Sequence, residues 1–275
     1  MHITRRAVLG TALGAGAAAL LSHGARAQTD TLAAIKARGT VLIGIQGDNP
    51  PWGFVNTSGV ADGFDAAIGQ AFAAYLGVKA EFQPLAVANR IPALTTGRVD
   101  ILFATMAMLP ERAKVVQYGK PYVANIIGLV AAKTRKITTN ADMKSVTIGV
   151  PRSSVGDIQI TKNAPEGTTI RRFDDDAATI QALLSGQVDA AGSNMFYVQR
   201  LDQQRPGMFE TKLEFTRLYN GPCTRLGDKP INAAVNAFID QIVAKGELAA
   251  PYQKWMGMAP PTFPDMIEGV PFSVD

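Results

Sequence analysis

Cys223 is the only cysteine in this 275-residue chain. An internal disulfide, a Cys-rich zinc site and an iron–sulfur cluster are therefore excluded. Histidine is almost as scarce: the two present, His2 and His23, both fall within the first 27 residues. Beyond that segment neither a histidine-based triad nor a histidine metal site can be built. An excess of one charge is missing too. The formal net charge of +4 leans on Arg5, Arg6 and Arg26, and past residue 27 there are 24 Lys and Arg against 23 Asp and Glu. A nearly neutral body gives no electrostatic reason to expect nucleic acid as a partner. No Gly-rich phosphate loop and no recognisable nucleophile arrangement is present, so no cofactor or metal is expected. Long apolar runs are also lacking: residues 7–21 span about fifteen positions, short of the ~20 that a membrane-crossing helix needs.

The composition that remains, 47% hydrophobic and 18% charged, is that of a folded globular protein. Residues 1–27 read as an export signal: Arg5-Arg6, an apolar Gly/Ala-rich run, then Ala25-Arg26-Ala27 as a small-x-small cleavage site. The arginine pair points to the twin-arginine route, and cleavage after Ala27 would release a periplasmic protein. Downstream, β-branched runs at 41–45, 79–82, 100–104, 126–132, 146–150, 169–173 and 189–192 read as strands. Amphipathic stretches at 31–38, 64–76, 88–95, 156–162, 177–184, 232–244 and 247–255 read as helices. Gly39 and Gly77 stop two of those helices, and Pro50-Pro51 forces a loop. The alternation predicts parallel sheets covered by helices, arranged as two α/β units. With 126–132 and 218–224 as crossings, residues 28–130 and 224–275 form one lobe and 131–223 the other. Between them lies a cleft at the carboxyl ends of the strands.

Several fragments then carry a resemblance. They are Pro50-Pro51-Trp52-Gly53-Phe54, Gly63-Phe64-Asp65, Asn89-Arg90-Ile91-Pro92-Ala93-Leu94, Gly97-Arg98-Val99-Asp100, Pro110-Glu111-Arg112-Ala113-Lys114, Pro121-Tyr122 and Lys254-Trp255-Met256-Gly257. In this order and spacing the chain resembles the polar-amino-acid-binding proteins of bacterial ABC importers over nearly all of its length past the signal. The resemblance implies the two-lobed type II periplasmic binding protein fold, a monomer, a membrane permease as partner and a small carboxylate or amino-acid ligand.

It also implies roles. Arg112 sits in the turn that Pro110 opens, where a planar guanidinium pairs bidentately with a carboxylate; in the family this position clamps the ligand's α-carboxylate. Arg90 resembles the arginine that reaches a side-chain carboxylate in acidic-amino-acid binders, or else serves structurally. Arg152 could add a third positive charge or lie on the rim. Trp52 either walls the ligand or belongs to the core, and Val87 supplies an apolar wall. Gln46, Asp48 and Asn49 are candidate polar lining, and Thr105 matches a Ser or Thr used in amine binding. Departures from the family pattern cluster at the amino-acid end. Ala107 replaces a hydroxyl residue and leaves only its backbone amide; Leu109 replaces a capping threonine. Val155 replaces another threonine, which leaves Ser153 and Ser154 as nearby hydroxyls. Asn194 stands where the family keeps an Asp for the ligand's ammonium, and an amide cannot neutralise a buried cation. Asp48 or the run Asp174–Asp176 could compensate, although the run reads as a solvated helix start.

The function expected is therefore a soluble receptor closing on an acidic amino acid, or on a carboxylic acid lacking the ammonium group. Cyclohexadienyl (arogenate or prephenate) dehydratases are similar over the same length, but Asn194 removes one candidate acid for that chemistry. A kinase-fused sensor would need a membrane span that the sequence does not supply.

Overall fold

The computed structural model describes residues 30–274; the export-signal reading of residues 1–27 lies outside them. Two five-stranded sheets dominate. In the first, Lys79–Leu85, Thr40–Gln46 and Ile101–Leu102 run parallel, and Cys223–Arg225 and Val116–Tyr118 complete the sheet in antiparallel pairings. In the second, Thr169–Phe173, Thr147–Pro151 and Ala190–Asn194 are parallel, followed by Val123–Ala132 and Phe209–Asn220. A small third sheet joins Asp48–Asn49, Gly53–Val55 and Ala61–Asp62.

The run 41–45 became a central strand because both its faces are covered, whereas Lys79–Leu85 and Thr169–Phe173 are partly exposed strands at the sheet edges. Val41, Ile43 and Ile45 are fully buried, packed with Ile35, Phe72, Phe238 and Tyr252. The helices Thr31–Arg38 and Phe64–Leu76 end where the sequence predicts, since Gly39 and Gly77 each take the left-handed conformation that ends a helix without a Cβ penalty. The final helices, Lys229–Ala244 and Ala249–Met256, return to the first sheet and bury Val235, Phe238, Ile239 and Tyr252 there.

The two crossings are one hydrogen-bonded ribbon. Val123–Ala132 pairs antiparallel with Phe209–Asn220 from Val123 opposite Asn220 to Ala132 opposite Phe209. Residue 130, the expected lobe boundary, falls inside this ten-residue strand. The first half of Phe209–Asn220 carries no alternation legible in sequence, because bulges at Thr211/Leu213 and Glu214/Thr216 break its two-residue period. The expected helix 88–95 divides into a 3-10 turn, Val87–Asn89, and the α-helix Arg90–Thr95. The strand expected at 100–104 is regular only over Ile101–Leu102, before the chain bends into the cleft at Thr105.

Candidate functional site

Every parallel strand delivers a polar residue to the same crevice from its carboxyl end, where open α/β sheets bind ligands. Gln46 closes Thr40–Gln46, Val87 and Arg90 follow Lys79–Leu85, and Thr105 follows Ile101–Leu102. Across the gap stand Ser153 and Ser154 after Thr147–Pro151, Asp176 after Thr169–Phe173, and Asn194 at the end of Ala190–Asn194. Two compartments result. One of about 50 Å³ is lined by Gln46, Asn49, Thr105, Ser154, Asp176 and Asn194, among others; the second, of about 120 Å³, by Met106, Arg112 and Ser153. Val87 and Arg90 line both.

Arg112 is 9% exposed. Its Nη2 donates to Ser153 O across the cleft at 3.1 Å, while its buried Nη1 has no partner among the described residues. A buried unpaired N–H on a cation is costly, and a carboxylate meeting the fork would satisfy it. Arg90 is differently placed: its Nε donates to Val87 O at 3.0 Å and its Nη1 to Ala104 O at 2.6 Å and Thr105 O at 3.2 Å. Burial, then the nearby Arg112 charge, lowers its pKa to about 10. Three carbonyls fasten Arg90 to the loop, so it shapes the cleft floor.

That floor is strained. Thr105 has φ +48° and Ser153 φ +62°, a region that residues other than glycine seldom adopt and that a β-branched residue such as Thr105 avoids most, and each faces the cavity from its own lobe. Asp65 holds the Thr105 bend by accepting from Thr105 N at 2.8 Å, and it also takes the Tyr122 hydroxyl at 2.7 Å. Burial raises the Asp65 carboxyl to about 6 despite those two donors. Thr105 Oγ1 in turn donates to Gln46 Oε1 at 2.5 Å.

Other expected residues do different work. Asn194 is not open to an ammonium: its Oδ1 accepts from Phe196 N at 3.0 Å and Trp52 Nε1 at 3.4 Å, and its Nδ2 donates to Asn49 Oδ1 at 3.1 Å. Trp52 is fully buried in the core against Phe196, so it is no ligand wall. Asp48 caps the helix Asp176–Leu184 by accepting from Ala177 N at 2.9 Å. Ala107 is buried and its N–H donates to Thr105 O at 3.0 Å, so that amide is engaged within the loop. Ser154 caps Val155–Asn163 by accepting from Asp157 N. Arg152 is exposed and lies outside the cavity lining, although Pro151 before it and Ser153 and Ser154 after it line the cleft.

The expectation that Asp174–Asp176 is a solvated helix start fails for Asp176. It is 5% exposed and accepts hydrogen bonds from Gln46 Nε2 across the cleft and from the Tyr197 hydroxyl. Burial, then the charge of Asp48, raises its carboxyl to about 6. Neighbouring Asp175 is the N-cap residue of the helix itself, accepting from Ala178 N at 2.7 Å beside the Ala177 N–H that Asp48 takes. Arg200 was not legible either. It donates to Asn49 Oδ1 at 2.9 Å and Asp48 O at 3.0 Å, with its guanidinium 5.5 Å from the Tyr197 ring centre. Its only sequence signal is a place in Tyr197–Asp202, a helix that no clear periodicity marks.

Together Arg200, Asn194 and Ala177 N grip the 48–49 segment of the opposite lobe. Arg200→Ala is expected to weaken ligand binding by about tenfold, since a hydrogen bond to a charged group contributes ~1.5 kcal/mol. Isothermal titration calorimetry checks this, and the folded state should be unaffected in the circular dichroism spectrum. Among the described residues no group of three or more His, Cys, Asp or Glu could hold a metal ion, and no helix is long and apolar enough to cross a membrane.

Two α/β lobes, a paired two-strand crossing and a polar cleft with a buried, half-satisfied arginine define a solute-binding protein. The chain belongs to the bacterial extracellular solute-binding proteins, family 3, which match residues 41–258. It is 27% identical over 259 residues to the L-cystine-binding protein TcyJ of Escherichia coli (strain K12), covering 93% of this chain and 97% of that one. The structure of the solute receptor for L-cysteine of Neisseria gonorrhoeae superposes with a TM-score of 0.77 at 31% identity, covering 82% of this chain and 93% of that one. An ancestral amino acid-binding protein, AncCDT-1, described as a precursor of cyclohexadienyl dehydratase, gives a TM-score of 0.75 at 30% identity over 82% of this chain and 99% of its own. The curated relatives are binding proteins of amino-acid ABC transporters rather than enzymes, and this chain is a solute-binding receptor of that kind.

Proposed function

We propose that the protein is an exported periplasmic receptor that closes on a small α-amino acid of no net charge and presents it to an ABC permease. The lobes would be residues 28–130 with 224–275, and 131–223, flexing about the paired crossing strands. The observation that carries the reading is the unpartnered Nη1 of buried Arg112 at the cleft. A carboxylate fills that need, and as a bidentate partner it would draw the Ser153 side of the second lobe onto the first.

Charge balance favours a zwitterion. Apart from Asp157, which is paired with Arg172, the buried charged groups around the cleft are Arg90, Arg112, Asp65 and Asp176, two of each sign. With both carboxyls at about 6, all four are largely ionised at pH 7 and cancel. A ligand of zero net charge leaves that balance intact, whereas an acidic amino acid needs a further cation. Arg152 is too far out to supply it, and Arg90 is fastened to three carbonyls. Size argues the same way: compartments of about 50 and 120 Å³ fall well below the ~300 Å³ at which drug-sized pockets begin. The structure named for L-cysteine supports a small polar side chain.

The test is a thermal-shift panel on protein stripped of ligand by unfolding and refolding: L-cysteine, L-cystine, L-glutamine, L-glutamate and L-arginine, each beside its deaminated acid. At ~100 times its dissociation constant a ligand stabilises the native state by roughly 2.7 kcal/mol. A shift with the neutral amino acids alone is expected. A shift with L-glutamate alone would restore the acidic reading, and a shift with the deaminated acids alone would make the protein a carboxylate receptor.

A further inference from the structure

Resting on the α-amino-acid reading above, the geometry points to Asp176 as the carboxylate that receives the ligand's ammonium group, in place of the residue at position 194. We infer this first by elimination. The cavity lining brings together two arginines and a set of amides and hydroxyls, and Asp176 is the one acid among the residues lining either compartment. Asp65 lies behind Thr105 with its two oxygens engaged by Thr105 N and the Tyr122 hydroxyl. Asp48 has turned away to cap the helix that begins at Asp176.

Position 194 is closed to the role by its own bonding. Asn194 Oδ1 already accepts from Phe196 N and Trp52 Nε1, and its Nδ2 points a donor at Asn49. A cation brought there would face an N–H, not a free lone pair. Asp176, in contrast, already takes an N–H donor from the opposite lobe: Gln46 Nε2 reaches across the cleft to its Oδ2, while the Tyr197 hydroxyl fixes Oδ1 from behind. An ammonium is a stronger donor than an amide and carries a charge that neither hydrogen-bond partner of Asp176, Gln46 or Tyr197, carries. Gln46 also accepts from Thr105 Oγ1, so Asp176 and Thr105 are held on either side of one amide that a ligand can displace or join.

The chain thus carries one change that has two consequences. With Asn at 194, that position becomes part of the protein–protein grip on the 48–49 segment. The anionic partner for the ligand moves to the start of the next helix in the second lobe, still at the carboxyl end of a parallel strand. Ammonium at Asp176 on one side and carboxylate at Arg112 on the other would bridge the two compartments, with Arg90 and Val87 forming the floor between them.

Asp176→Asn tests this with matched ligands that differ only in the ammonium: L-cysteine with 3-mercaptopropionate, and L-glutamine with 4-carbamoylbutanoate. Calorimetry on the wild type comes first; if neither amino acid binds it, the amino-acid reading itself fails and takes this assignment with it. Where one binds, Asp176→Asn is expected to weaken the amino acid by about 30-fold or more while changing its deaminated partner by less than about threefold. An equal loss for both members of a pair, or no loss for the amino acid, overturns the assignment and leaves the receptor function standing. Asn194→Ala is the second variant, read in the same way. It is expected to weaken both members of each pair alike, as loss of a lobe contact does, and a loss confined to the amino acid would return the ammonium to position 194.

Discussion

Arg112→Ala is expected to lower the affinity for the amino-acid ligand by about 30-fold to several thousand-fold, the range that follows from removing one partner of a buried, hydrogen-bonded charge pair at ~2–5 kcal/mol. The guanidinium donates across the cleft to Ser153 O and holds a second buried N–H with no partner among the described residues. A truncation removes the carboxylate's partner and one tie between the lobes at once. The ligand-stripped protein should not be weakened, because losing a buried cation with an unsatisfied donor relieves the fold as much as it costs in packing. The melting temperature without ligand should therefore stay within a few degrees of wild type, while the ligand-induced rise disappears. Arg112→Lys keeps the charge but not the fork, and should recover only part of the affinity. A variant that binds normally would show that the carboxylate lies elsewhere. Calorimetry alongside melting curves separates the two effects.

The sequence was a good guide wherever local chemistry decides the structure. Helices bounded by Gly39 and Gly77, and the β-branched strand at 41–45 buried on both faces, could be placed because each signal lies within a few residues of its effect. Arg112, with Pro110 opening its turn, and Thr105 were singled out through the family resemblance, and Asn49 through the loop it shares with Gln46 and Asp48. What escaped notice depends on pairing over long distances. Asp176 reads as the third of three aspartates at a helix start, and only the approach of Gln46, 130 residues earlier, buries it. Arg200 reads as a surface arginine until its contacts with Asp48 and Asn49 in the other lobe are seen. Trp52 could have been wall or core, and its packing on Phe196 decides for core. Arg152 shows the converse limit: a strand end predicts nearness to the cleft, but its side chain stays outside the lining to which Pro151, Ser153 and Ser154 contribute.

Buried carboxylates at the cleft also set how stability should respond to pH. Asp65 and Asp176 both rise from 3.8 to about 6 in the fold, chiefly through burial. An unfolded chain ionises these groups near 3.8, so between that pH and about 6 the native state binds more protons than the unfolded one. Their contribution to stability is then fully present below 3.8 and lost as pH rises through 6. Each group accounts for on the order of 1–3 kcal/mol across that window. For a chain of this size ~1 kcal/mol moves the melting temperature by roughly 2–4 °C. The ligand-stripped protein should accordingly melt several degrees higher at pH 5 than at pH 8, with the change falling mainly below about pH 6 and levelling off above it. Asp176→Asn removes one of the two titrations without emptying the site, since its Oδ1 can still accept from Tyr197 and Gln46 can turn its amide to accept from the new Nδ2. That variant should melt higher than wild type at pH 8 and show a shallower pH dependence. If instead it melts lower at pH 8 with an unchanged slope, the buried charge at Asp176 is already compensated within the protein, and a ligand ammonium would have little left to neutralise. The expected pattern, a more stable protein that no longer holds its amino acid, follows from a charge kept buried at the cleft for a cationic partner.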